Sequence, residues 1–108
     1  MSKVPQVYLH HILDSIAAVE RYAKGLSKDE FYGSSEKQDA IIRRVEVIGE
    51  AVRNLTKDFR QQCPDIVWKK IVGTRDKLIH EYFGVDLELI WEIVKKDLPV
   101  LKENILKI

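Results

Sequence analysis

The chain has 108 residues, 45% hydrophobic and 32% charged, with a formal charge of +1, a composition that excludes a disordered or fibrous polypeptide and points to one domain over residues 1–108. So small a net charge excludes a global positive field, leaving only local patches to attract a polyanion. One cysteine, Cys63, excludes an intrachain disulfide and suits a reducing cytoplasm.

The first residues, Met1 to His11, carry Lys3, Pro5 and Gln6 and lack the apolar run of a signal peptide. Nowhere is there the stretch of about 18 apolar residues that a membrane span needs. The expected location is therefore the cytoplasm, with no membrane contact. Leu9, Ile12, Ile16, Val19, Ala23 and Leu26 recur at spacings of three and four, one buried stripe of a helix that Gly25 can stop. Ser27 and Glu30 have the spacing to cap a short turn, and Ser35 with Gln38 has the capping-box pattern for a second long helix. Its stripe is Ile41, Val45, Ile48, Val52 and Leu55. Lys57 to Asp65 breaks the pattern, and Pro64-Asp65 suits a new helix start. Gly73-Thr74 offers a second break, after which Thr74 can cap a helix from Arg75 to Phe83 that Gly84 ends. Whether residues 66–83 make one helix or two stays open. Asp86 caps a final helix with Leu87, Ile90, Val94, Leu98, Leu101 and Ile105 on its stripe, and Pro99 should kink or split it near 96–98. With no strand alternation and no repeat, the expected architecture is an all-α, four- to five-helix antiparallel bundle.

The segment from Gly73 to Gly84 concentrates chemistry. Arg75 is the only arginine after Arg60, and His80 the only histidine after His11. A guanidinium matches a phosphate with paired hydrogen bonds, and an imidazole moves protons near neutral pH. Together they suffice for metal-free RNA cleavage: one group takes the ribose 2′-hydroxyl proton, the other stabilises charge on the phosphate. DNA lacks that hydroxyl. Lys69, Lys70, Arg75 and Lys77 against Asp76 give residues 69–77 a local charge of +3, which makes the three lysines candidate RNA contacts. Geometry sets a limit. Five residues at about 100° each put Arg75 and His80 about 140° apart on a regular helix. Either the helix is irregular at Gly73-Thr74, or a two-fold dimer assembles the site. Tyr82, seven residues after Arg75, returns to the arginine's face.

The run Arg75-Asp76-Lys77-Leu78-Ile79-His80-Glu81-Tyr82 resembles the signature of HEPN domains of the HepT-like group: arginine, a polar residue, three more, histidine, one residue, tyrosine. Glu46-Val47-Ile48-Gly49-Glu50-Ala51 looks like the group's E-x-I-G-E-A helix, and Trp68 to Gly73 like its lead-in to the motif. The resemblance spans essentially the whole chain. It implies an all-α HEPN fold, a two-fold homodimer and a metal-independent endoribonuclease acting as the toxin of a HepT–MntA type toxin–antitoxin pair. The implied partner is a minimal nucleotidyltransferase that neutralises the toxin by attaching AMP to the motif tyrosine. On this resemblance Arg75 and His80 are catalytic, Asp76 supports their orientation and Tyr82 accepts AMP, whose charge and bulk would block RNA phosphate. The competing reading is a non-catalytic nucleotide-binding or regulatory subunit of that nucleotidyltransferase.

Other residues read as structural. His10 and His11 are adjacent and diverge on a helix, so no metal pair is expected. Cys63 is expected to be inert, and Trp68, Phe83 and Trp91 are expected in the core or at a subunit contact. Glu46 and Glu50 share a face and are expected to pair with Arg43 or Arg53. There is no glycine-rich phosphate loop, and no cofactor is expected.

Overall fold

The computed structural model describes residues 4–80 and 84–108, and of residues 79 and 80 the backbone alone. The described residues form an all-α bundle without a strand. In chain order the helices are α1 (Pro5–Ala23), α2 (Lys28–Tyr32), α3 (Ser35–Asn54), α4 (Lys57–Gln62), α5 (Trp68–His80), α6 (Leu87–Glu92), a π-helical turn (Ile93–Asp97) and α7 (Leu98–Leu106). None is long and apolar enough to cross a membrane. The long helices α1 and α3 pack along each other, α5 also lies against α3, the π-helical turn and α7 close over α1, and α6 meets α2.

The predicted stripes form the core. Ile12, Ile16 and Val19 of α1, Ile41, Ile48 and Val52 of α3, and Ile90 of α6 are fully enclosed. Burying each such side chain stabilises by about 1.5–3 kcal/mol, which makes this face the main source of fold stability. Phe31 anchors the short α2 in the same core, its ring 5.4 Å from that of Trp91. Trp68 is buried, whereas Trp91 is half-buried against the core. Phe83 lies outside the described residues.

Caps fix where the helices begin. Ser27 and Glu30 cap the short helix α2 as predicted, and they do so as a full capping box: Ser27 Oγ accepts from Glu30 N at 3.1 Å, and Glu30 Oε1 accepts from Ser27 N at 3.0 Å. Glu30 is held below its ordinary carboxylate range, first by the Ser27 backbone N–H and then by the Ser27 side chain. Gly25 has φ +71°, the left-handed conformation that ends α1 at little cost for glycine alone. Asp86 caps α6 as predicted, accepting from the N–H groups of Glu88 and Leu89.

Three local expectations are corrected and one open alternative is decided. The cap of α3 is Ser34, not Ser35; its Oγ accepts from Lys37 N, while Gln38 donates to the carbonyls of Phe31 and Tyr32 and closes the end of α2. Residues 57–65 contain the helix α4, capped by Thr56 through Phe59 N. Pro64-Asp65 does not open a helix. The Trp68 indole N–H donates to the carbonyls of Arg60 and Cys63, tying residues 63–67 into a turn, and α5 starts at Trp68. The alternative left open at Gly73-Thr74 is decided: α5 runs unbroken from Trp68 to His80, and Thr74 Oγ1 donates back to the Lys70 carbonyl at 2.9 Å and caps nothing. Pro99 acts much as predicted. It lacks the N–H for the carbonyl four residues earlier, and the chain widens into the π turn over Ile93–Asp97 before α7 resumes.

Candidate functional site

The site is built where α5 crosses α3. Gly49 in α3 faces Arg75 in α5, and a Cβ there would lie 2.2 Å from Arg75 Cβ and 2.6 Å from its Cγ. The missing side chain lets the arginine stem lie on bare helix backbone. Leu78, one turn further along α5, is buried and holds the same face to the core. The sequence thus clamps Arg75 by its stem and leaves its head free to reach sideways.

The head meets carboxylates. Arg75 Nη2 lies 2.8 Å from Glu50 Oε2, and Arg75 Nη1 donates to Asp76 Oδ1 at 3.0 Å. Arg53 Nη1 donates to the same Asp76 oxygen at 3.3 Å. Glu50, Arg75, Asp76 and Arg53 therefore form one chain of alternating charge. The Arg75 side chain is 21% exposed, against 51% for Glu50. Arg75 Nε is buried with no hydrogen-bond partner among the described residues. The pairing of Glu50 differs from expectation: it binds Arg75, while Arg53 binds Asp76 and only Glu46 takes its predicted partner, Arg43, at 3.7 Å. Contacts between helices depend on their register, which spacing within one helix does not reveal.

The predicted site residues separate into groups. Arg75 and Asp76 are in contact. Lys70 lies elsewhere: it lines an apolar cavity of about 230 Å³ with Ile71, Val67 and Val100 and pairs with Asp97 at 3.9 Å. Lys69 and Lys77 are exposed and in no ion pair among the described residues. His80 ends α5, with its side chain outside the described residues, as Tyr82 is altogether.

Sequence reasoning missed the other wall of the Arg75 cleft. A cavity of about 220 Å³ beside Arg75 is lined by Tyr8 and His11 of α1 and by Glu46, Glu50 and Asn54 of α3. Tyr8 and His11 are one turn apart, with ring centroids at 6.4 Å and planes at 71°. Their i, i+3 spacing was the available signal. His10 turns away to Asp14, at 3.8 Å.

The model of the family described as "Ribonuclease HepT-like" matches residues 12–108. The chain is 54% identical over its whole length to the "Gamma-glutamylcyclotransferase and putative RNase MJ0434" of Methanocaldococcus jannaschii, of which it spans 49%. It is 43% identical over 98% of its length to the "Putative RNase TTE0752" of Caldanaerobacter subterraneus, spanning 95% of that protein. It is 39% identical over 94% of its length to the "Probable ribonuclease HepT" of Thermococcus cleftensis, spanning 93% of it. No solved structure matches the chain. A family model that covers nearly all of this helical bundle, with relatives matching end to end, means that the chain belongs to the HepT-like ribonuclease family.

Proposed function

We propose that this protein is a metal-independent endoribonuclease, the toxin of a toxin–antitoxin pair. Arg75 binds the scissile phosphate and offsets the charge that builds there. His80 takes the proton from the 2′-hydroxyl. The 2′-oxygen then attacks phosphorus, the bond to the 5′-oxygen breaks, that oxygen takes a proton from the protonated His80 or from water, and a 2′,3′-cyclic phosphate and a 5′-hydroxyl remain. Asp76 fixes the guanidinium.

The observation that carries this reading is the way Arg75 is set: stem clamped over Gly49, head held by two carboxylates, at the lip of a cleft, in a HepT-like chain. An unbroken α5 favours a composite site. On a regular helix Arg75 and His80 diverge by about 140°, so a two-fold homodimer that places one copy's histidine near the other's arginine resolves the mismatch. Tyr82 is the AMP acceptor, and the cognate partner is a minimal nucleotidyltransferase that uses it to switch the toxin off.

The test is incubation of purified protein with single-stranded RNA in excess EDTA. Cleavage to cyclic-phosphate ends is expected, with a loss of at least about a hundredfold in His80→Ala, the size of a general acid–base contribution. Intact RNA with unmodified wild-type protein, or undiminished cutting by His80→Ala, refutes the reading. Nucleotide binding lost in Arg75→Ala without any cleavage would instead support a regulatory subunit.

A further inference from the structure

The geometry points to a single-nucleoside subsite in the cleft beside Arg75, with Tyr8 and His11 as the wall on which an RNA base stacks. The inference rests on the ribonuclease reading and says which part of the substrate this side of the arginine holds.

Three observations lead to it. The first is size. A cavity of about 220 Å³ falls below the roughly 300–1,000 Å³ usual for small-molecule sites, which suits one nucleoside rather than a longer stretch of strand. The second is composition. One wall carries an aromatic pair, Tyr8 half-buried against the core and His11 exposed. An edge-to-face pair leaves a ring face uncovered by the other ring, and every base has a flat face to lay on it. The opposite wall carries the arginine that would hold the adjoining phosphate, while Glu46 and Glu50 supply acceptors for sugar hydroxyls or base amino groups.

The third observation is charge. Arg43, Arg53 and Arg75 are each paired with one of Glu46, Glu50 and Asp76. The cleft is close to neutral, as is the whole chain at +1. General attraction of phosphate is therefore weak, and contact with the base must supply what charge does not. A stacked subsite also selects single strands, because duplex bases are already stacked on each other.

The test uses a short 2′-O-methyl RNA, which has no free 2′-hydroxyl and stays uncut, titrated into the full chain with anisotropy as readout. Tyr8→Leu and His11→Leu are each expected to weaken binding roughly 5- to 150-fold, the loss of one stacking platform. Tyr8→Phe and His11→Phe keep a flat ring and are expected to bind as wild type, which a role carried by the tyrosine hydroxyl or by the histidine's charge would not produce. Unchanged affinity in both leucine variants, with Arg75→Ala still weakened, overturns the subsite and leaves the ribonuclease reading standing. Absence of RNA binding by the wild type overturns both. Because His11 is exposed, His11→Leu carries the test even if Tyr8→Leu fails to fold.

Discussion

Gly49 offers a test in which two known effects oppose each other and the structure decides the sign. In a helix interior, replacing glycine by alanine stabilises by about 1 kcal/mol through helix propensity alone. At Gly49 the new Cβ would sit 2.2 Å from Arg75 Cβ, where carbon atoms normally keep about 3.5–4.0 Å. The obstructing atom is the root of a side chain, so it cannot swing aside; α3 and α5 must part by roughly an ångström or more. Overpacking of this kind costs about 1–3 kcal/mol, and so large an overlap belongs at the upper end. The expected net effect of Gly49→Ala is a destabilisation of about 2 kcal/mol, a fall in melting temperature of roughly 10 °C for a domain of this size. Gly73, in the helix that Gly49 faces, is the control. A Cβ there meets nothing within 4 Å, so Gly73→Ala should stabilise by up to about 1 kcal/mol. Urea unfolding followed by circular dichroism measures both. A Gly49→Ala protein as stable as wild type, or more stable, refutes the argument that Gly49 exists to admit Arg75.

Two further outcomes follow from single side chains. Ser15 is buried in α1 and its hydroxyl has no partner among the described residues; Ser15→Ala should raise stability by about 1 kcal/mol, since an unmet buried hydroxyl costs about 1–3, and a lower urea midpoint would contradict this. Glu30, depressed by its bonds to Ser27, contributes stability that is present above the ordinary glutamate range and lost as pH falls through its lowered folded value; carboxyl NMR should find it titrating below an ordinary glutamate, and Ser27→Ala, which removes the hydroxyl but keeps the backbone N–H, should return it only part of the way.

The sequence revealed what depends on period and concealed what depends on register. The core stripes of α1 and α3 were legible because burial repeats every three or four residues, and every residue of the α3 stripe is buried. Helix α4 was not legible: its six residues bury none of their number, and only its ends carry signals, the Thr56 cap with Asp58 in the first turn and Arg60 in the last. The α3 cap was missed by one residue because two serines stand side by side and only the structure sends Gln38 back to α2. Thr74 could cap or bond back, and the packing of α5 on α3 selected the second. At the site, the contact between Arg75 and Asp76 is local and could be anticipated. The Arg75–Glu50 pair joins separate helices, and Gly49 in its motif was the trace that crossing left in the sequence; Tyr8 and His11 share α1, but only the packing of helices sets them beside Arg75.

The carboxylates on Arg75 raise the question of whether the arginine is available to a phosphate at all. The magnitudes favour availability. Glu50 is half exposed, and ion pairs this open to water contribute only about 0–1 kcal/mol. A phosphate approaching from the cleft can replace Glu50 with two charge-assisted hydrogen bonds of better geometry, and the released carboxylate, already half exposed, loses little and becomes free to accept from the nucleoside. The stem contact with Gly49 and the bond to Asp76 persist through the exchange, so the guanidinium keeps its place while one partner leaves. Glu50 then acts as a placeholder that holds the arginine extended before substrate arrives. The same argument sharpens the need for a second copy in the proposed mechanism. An arginine fixed from both ends cannot turn some 140° around α5 to meet a histidine five residues on, and the histidine that completes its site must come to it.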